Sequence, residues 1–321
     1  MNIGVFLSTT SEKFEKKKYL ESFYEGINMW KKDTCFLTKS KEYVDCDIAI
    51  IFGFYGINLG DIHTTRKNIY LEHTVKRNKK CIFIDADLLK HSGKKDQTIN
   101  THVRISYDSI FFDKAKHFNA NSDNTRWDII RKQKGIDLLD YRTTGDHILV
   151  CLNSNPYFGK GWSAGKLNIY DWAKSTIQEI RQHTDMKIIL RFHPNGKSEE
   201  QKVIPINDLI NIGKNIFFSG GIEMKNRRII SNTSLQQDCQ NAWACVVHNT
   251  SASVIPILYG VPVFTKNRGC PVYQIANHNL ADLSNPKLID RTQWLNDVAY
   301  CLWSYEEIKD GTLWQRWRAH L

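Results

Sequence analysis

Short, dense apolar runs alternate with longer charged stretches of helical period along most of this 321-residue chain. Ile3 to Leu7, Thr34 to Leu37, Ile48 to Phe52 and Cys81 to Asp85 run on with almost no polar break, the pattern of strands buried on both faces. Between them, Ser11 to Lys32, with Ser11 as cap, and His63 to Asn78 have helical spacing. Strands buried on both faces pair in parallel, and each return needs a crossover helix. The first half therefore predicts a Rossmann-like sheet whose carboxyl edge faces ligands. That edge would carry Ser8, Thr9, the loop Gly53 to Gly60, and Asp85 to Asp87.

Residues 91–146 are less regular, and the turn-like Tyr141 to Asp146 precedes a new strand. A boundary is expected there, giving domains over residues 1–145 and 146–321. The pattern then repeats: strand His147 to Leu152, glycine-bearing loop to Gly165, helix Asn168 to His183, strand Lys187 to Phe192. A short strand Ile216 to Phe218, helix Ser234 to Asn241, strand Ala244 to His248, helix Ser251 to Tyr259 and strand Pro262 to Thr265 complete a second Rossmann-like sheet. The tail, Arg291 to His320, reads as helical and rich in tryptophan. The expected fold class is α/β, with two Rossmann-like domains facing across a cleft and a C-terminal helical tail.

Some classes are excluded. The longest apolar runs are strand-sized, far short of the roughly 20 residues a membrane span requires, and Met1 to Val5 reads as a strand rather than a signal peptide. A cytoplasmic protein without a membrane partner is expected. The 8 cysteines are scattered without a CxxC pair, and several fall inside buried strands, which suits reduced thiols acting as small hydrophobes. A net charge of +10 favours polyanionic partners or simple solubility.

Three segments carry chemistry. In Ala244-Cys-Val-Val-His-Asn-Thr-Ser-Ala-Ser253 a buried strand ends at His248 and a hydroxyl-rich turn opens a short apolar helix. Free backbone N–H groups there, with Asn249, Thr250, Ser251 and Ser253, would suit a phosphate, although Asn249 or Thr250 could equally serve as a cap. In Ile188-Ile-Leu-Arg-Phe-His-Pro194 the strand delivers Arg191 and His193 to the same edge on one side. Arg191 suits forked contacts with phosphate, and His193 can donate to a departing oxygen. The loop Asn153 to Lys166 holds Gly159, Lys160 and Gly161, where a backbone can approach a ligand closely. It has neither Walker A nor dinucleotide GxGxxG spacing.

Taken in order, Arg-x-His-Pro, His-Asn-Thr-Ser-x-Ser and Gly-Val-Pro-Val resemble GT-B glycosyltransferases, including capsule-polysaccharide sugar transferases. Further stretches (Ile169-Tyr-Asp-Trp172, Ile180 to Asp185, Asn241 to Ala244, Asp290 to Tyr300) are similar to phage-encoded GT-B enzymes that modify DNA. The resemblance covers residues 147–311 well and the N-terminal half thinly. It implies a nucleotide-sugar donor, with a UDP-sugar expected, in the C-terminal domain, an acceptor at the N-terminal domain and no obligatory metal. Arg191, His193, His248, Asn249, Thr250, Ser251 and Ser253 match donor-side positions. The chain departs from the pattern in the last helix, Val254 to Tyr259, which lacks the glutamate that many such enzymes use to hold the donor ribose.

A transfer that inverts the anomeric centre needs a base for the acceptor proton. Asp85, Asp87, Asp61 and His63 are the candidates. With the positive charge, the resemblance leads to 5-hydroxymethylcytosine in phage duplex DNA as expected acceptor. Lys16 to Lys18, Lys76, Arg77 and Lys225 to Arg228 would grip phosphates, Arg104 and Arg126 would meet an anionic acceptor, and Tyr55, Phe54 or Phe158 would wedge beside an extruded base. The expected partners are thus a nucleotide sugar and duplex DNA, and the sequence does not fix whether the chain is a monomer. The alternatives are the same chemistry on a surface or capsule glycan, and a non-catalytic nucleotide- or DNA-binding protein of this fold.

Overall fold

The computed structural model describes residues 1–10, 14–54, 60–89, 102–152, 169–192, 206–220, 223–225, 228–230 and 233–321. The described residues divide into two compact units, one holding those up to Lys134 together with Thr292–Leu321, the other those of Gly135–Arg291.

The first unit begins with β1 (Asn2–Phe6), α1 (Phe14–Met29), β2 (Thr34–Thr38), β3 (Ile48–Phe52), α2 (Asp61–Tyr70), β4 (Lys80–Asp85), β5 (His102–Tyr107) and α3 (Thr125–Lys134). The second contains β6 (His147–Cys151), α4 (Ile169–Arg181), β7 (Lys187–Arg191), α5 (Ile206–Ile210), β8 (Ile216–Phe218), β9 (Glu223–Lys225), β10 (Arg228–Ile230), α6 (Leu235–Cys239), β11 (Ala242–Val247), α7 (Val254–Leu258) and β12 (Val263–Phe264). The chain then returns to the first unit with α8 (Thr292–Ala299), β13 (Leu302–Ser304), α9 (Tyr305–Lys309) and α10 (Thr312–Arg318).

The expected fold class, two Rossmann-like α/β sheets with flanking helices, is what the chain adopts. The first sheet has strand order β13-β5-β4-β3-β1-β2, and the second β12-β11-β6-β7-β8. Both faces of the first sheet are buried, as its unbroken apolar strands require. Ile3, Val5, Ile50, Ile82 and Ile84 pack toward Leu20, Phe23 and Ile27 of α1, while Phe6, Ala49, Ile51 and Phe83 pack with Ile69 of α2. In the second sheet, Ile148, Val150, Ile188, Leu190, Ala244 and Val246 close on Trp172, Ile177 and Ile180 of α4.

Three differences from the sequence reading have physical causes. First, β5 pairs antiparallel with β4, and β13 antiparallel with β5, so the first sheet is mixed. In β5 His102, Arg104 and Ser106 are buried between Val103 and Ile105, which hides the apolar signature of a strand. Second, the helix after β3 does not run uniformly to Asn78, because its continuation over Leu71–Lys76 takes the wider π-helical winding. Third, the tail assigned to residues 146–321 belongs to the first unit, and the units part at Lys134/Gly135 rather than near residue 145. Its tryptophans Trp303, Trp314 and Trp317 lie in the core built by β1, β3, β4 and α1. Gly26 on α1 is what lets α9 approach, since a Cβ there would fall 2.0 Å from the carbonyl oxygen of Ile308.

Arg126 of α3 fastens that tail. Its guanidinium reaches Glu307 at 2.5 and 2.7 Å, donates to the carbonyls of Ala299 and Leu302, and lies 4.1 Å from the Trp303 ring centroid. Glu307 has its pKa pushed up by burial, but the hydrogen bonds from Arg126 outweigh this and hold it below the ordinary value. The stabilisation is therefore present above the pKa of the unfolded chain and is lost as pH falls through the lower folded value. Arg126→Ala, which strands a half-buried carboxylate, is expected to cost roughly 3–5 kcal/mol. Tryptophan-detected urea unfolding checks this; an unchanged midpoint would show that the tail is held by apolar contact alone.

Candidate functional site

In the second sheet the chain lays down β6, β7 and β8 outward in one direction, then returns to place β11 and β12 on the other side of β6. The strand order therefore reverses between β6 and β11. Crossover connections leave neighbouring strands in opposite directions at such a point, opening a crevice beyond their carboxyl ends where α/β proteins bind ligands. The segment His248 to Ser251 leaves β11 at this point, and Thr265 to Asn267 leaves β12 next to it. Residues 153–168, which follow β6 and include Gly159, Lys160 and Gly161, lie outside the described residues, as does His193 after β7.

A cavity of about 150 Å³ opens beside this edge, lined by Trp172, Thr176 and Glu179 of α4, His248, Thr265, Lys266 and the ring of His278 among others. His248 is held on two sides: its Nε2 lies 3.0 Å from the Asn267 side-chain amide, and Trp172 meets the ring edge-on at 5.9 Å. Burial drives its pKa down to about 4, so at neutral pH the imidazole is uncharged. Lys266 reaches over to the Glu179 carboxylate at 2.7 Å, with most of its side chain exposed. The rule that singled out His248 applies equally to Lys266 and Asn267, which also follow a strand at the carboxyl edge; the sequence reading stopped one strand too early.

The hydroxyls of the turn divide into two groups. Thr250 Oγ1 accepts from the N–H of Ala252 and so acts as a cap. Ser253 is fully buried and donates to the carbonyl of Thr250 at 2.7 Å. Both serve the local turn, and the α-helix behind them is only 5 residues long, too short for a sizeable dipole. Asn249 is half-buried and Ser251 exposed.

Arg191 ends β7 as expected but is buried in a polar cluster. Its Nη1 is bonded to Asp238 of α6, lies 3.1 Å from Ser219 Oγ and donates to the carbonyl of Thr233 at 3.0 Å. Ser219 and Thr233 also donate to Asp238, at 2.5 and 2.8 Å. The charge expected to fork onto phosphate is thus joined to a carboxylate that the sequence reading missed, because Asp238 sits in Leu-Gln-Gln-Asp-Cys, which looks like a surface turn of helix.

Each proposed base of the first unit stands beside a cation. Asp85 ends β4 with its carboxylate bonded to Arg104, and Asp87 is buried against Lys134. Asp61 opens α2, exposed and 3.7 Å from Lys41. Half-buried His63 has its pKa lowered, by burial first and by the nearby Arg66 second. Tyr55 lies outside the described residues.

No family model and no curated protein matches the chain. Among solved structures, it is similar to two transferases described as Thermosulfurimonas dismutans KpsC. The β-Kdo 2,4-transferase is 10% identical with a TM-score of 0.48, over 93% of this chain and 90% of that one. The β-Kdo 2,7-transferase is 11% identical with a TM-score of 0.48, over 100% and 99%. A UDP-GlcNAc 2-epimerase from Methanocaldococcus jannaschii, in complex with UDP-GlcNAc and UDP, is 11% identical with a TM-score of 0.33, over 87% and 77%.

The expectations of a hydroxymethylated DNA base, of DNA binding and of a phage origin are corrected. The similar structures are named for Kdo transfer and UDP-GlcNAc epimerisation, not for work on DNA. Of the cations put forward, Arg104 and Arg126 are held inside the first unit, whereas Lys76 and Arg77 are exposed and paired only at the surface. Arg104 is buried on Asp85, Arg126 is bound to Glu307, Lys76 pairs with Glu72, and Arg77 lies 3.7 Å from Asp45. Lys17 is 3.3 Å from Glu21, and Lys18 sits 3.4 Å from the Tyr305 ring centroid.

Two outcomes are expected. Arg191→Ala should lower stability by roughly 3–5 kcal/mol by leaving Asp238 buried without its partner, and adding Asp238→Asn should recover part of that loss; urea titration of both variants decides it. By NMR, His248 should titrate with a midpoint near pH 4. Because its folded pKa lies below the unfolded value, the folded state loses stability as pH falls from about 6.5 toward that midpoint. A midpoint between pH 6 and 7 would place the ring in water.

Proposed function

We propose that this chain is a nucleotide-sugar-dependent glycosyltransferase that acts on a glycan of the cell surface or capsule. The observation that carries the proposal is the strand reversal between β6 and β11, which gathers His248, Asn249, Ser251 and Lys266 at one sheet edge with the cavity beside Trp172. In sequence these segments lie within the stretch that resembles GT-B sugar transferases. The donor, a UDP-sugar, is assigned to the second unit and the acceptor to the first.

Each donor-side residue then has a task suited to its chemistry. Lys266 neutralises phosphate charge, exchanging its exposed contact with Glu179 for the ligand at little cost. Asn249 and Ser251 supply hydrogen bonds to phosphate oxygens, and uncharged His248 accepts or donates one without adding charge. Arg191 is assigned a positioning role, fixing the end of β7 through Asp238. The segments with Gly159 to Gly161 and His193 are assigned to the donor from sequence alone.

UDP should raise the unfolding temperature of the full chain by mass action. Lys266→Met should reduce that response by roughly tenfold in affinity, as expected for a lost charge-assisted contact to phosphate. Slow release of sugar from a UDP-sugar in water, and its transfer to a saccharide, would complete the case. Neither stabilisation nor hydrolysis with any of UDP, GDP, CMP or ADP sugars would sink it.

A further inference from the structure

The first sheet has its own reversal of strand order, between β1 and β3, with β2 on one side and β4 on the other. Beyond the carboxyl ends of these strands lies a second cavity, of about 480 Å³, lined by Leu7, Ser8 and Thr10 after β1, Lys39 and Lys41 after β2, Lys17 of α1, and Asp61, Ile62 and Thr65 of α2. Its size is that of a small-molecule site.

The polar lining divides by what each group already does. Ser8 donates to the carbonyl of Ser40 at 2.5 Å and Thr65 to that of Asp61 at 2.9 Å, so both hydroxyl protons are used. Thr10 differs: the residue lines the cavity and is 8% exposed, and its Oγ1, turned away from the open space, has no hydrogen-bond partner among the described residues. A buried hydroxyl without a partner costs about 1–3 kcal/mol, and a turn of the Thr10 side chain toward a ligand acceptor in the cavity would recover it. The charges are unequal. Lys17 is matched by Glu21, and Lys41 stands 3.7 Å from Asp61, both in water; among the described residues Lys39 has no acidic partner. The floor is rigid. Arg66 donates to the carbonyls of Thr9 at 2.6 Å and Phe54 at 3.1 Å, tying together the segments that leave β1 and β3, and Thr9 Oγ1 accepts from the N–H of Phe52 at 3.0 Å.

We infer that this cavity binds the acid group of a sugar, a carboxylate or phosphate ester, with Lys39 and Lys41 neutralising the charge and Thr10 donating a hydrogen bond to one oxygen. The anion site stands on its own geometry. Its use as the seat of an acidic acceptor rests on the transferase reading.

The test is calorimetric titration of the full chain at low ionic strength, without nucleotide, with glucose 6-phosphate, glucuronate, inorganic phosphate and glucose. Both sugar acids should bind and neutral glucose should not. Lys39→Met should weaken binding by roughly tenfold. Thr10→Val, nearly the same shape, should weaken it similarly while leaving the unfolding temperature of the unliganded protein equal or higher, because it removes an unpaired buried hydroxyl. Lys266→Met should leave binding of the acids intact. Absence of binding by the wild type, binding of glucose as tight as its phosphate, tighter binding of inorganic phosphate than of either sugar acid, unchanged affinity in both first-unit variants, or loss of binding in Lys266→Met would each overturn the proposal. Retained acid binding without any UDP response supports the site and removes only the transferase reading.

Discussion

A parallel strand cannot turn straight back onto its neighbour, because the next strand must start at the opposite end of the sheet. That constraint arranges this chain. Each return between parallel strands needs a crossover, and the loops that leave these parallel strands at their carboxyl ends are gathered along one edge. Where the direction of growth reverses, at β1/β3 in the first sheet and β6/β11 in the second, the loops diverge and leave space. The two cavities discussed above border these edges. Neither was arranged residue by residue around a ligand; the topology made the room, and the residues at the strand ends determine what can occupy it.

Burial decides which charges remain for that purpose. Moving an ion out of water costs several kcal/mol, which a counter-charge or, as at Arg66 and Arg291, a set of backbone carbonyls must offset. Arg104 with Asp85, Lys134 with Asp87, Arg126 with Glu307 and Arg191 with Asp238 follow this rule. Each fixes one element against another. The cations left at the edges are the lysines, Lys39, Lys41 and Lys266, whose flexible stems keep their heads in water.

Much of this architecture is legible in the sequence. Ile48-Ala-Ile-Ile-Phe52 is as apolar as a strand covered on both sides must be, and it has those bounds in the structure. Ser234, where a helix is expected to begin, is the N-cap of α6 and closes a capping box with Gln237. What was hidden shares one cause: polar residues in buried places. His102-Val-Arg-Ile-Ser-Tyr107 reads as surface until Asp85, distant in sequence, is known to meet Arg104. Arg191 and Arg126 look like ligand contacts because nothing local reveals Asp238 or Glu307. Edge residues such as His248 could be found by topology alone, since a strand end is a local signal. Their partners across the fold could not, since charge pairing is not.

The return of β13 and its tryptophans to the first sheet also sets an order of events at the ribosome. As the chain emerges, β1 to β4 are made first, yet Trp303, Trp314 and Trp317, which complete their apolar core, come nearly 200 residues after β5. The described residues of the second unit run in one stretch within Gly135–Arg291, so they can close while the first unit still waits with a face uncovered. Completion of the first unit therefore departs from the usual N-terminal-first order of folding. During that interval the unfinished first unit is the species that chaperones would encounter, and a chain halted before α8 would leave it incomplete.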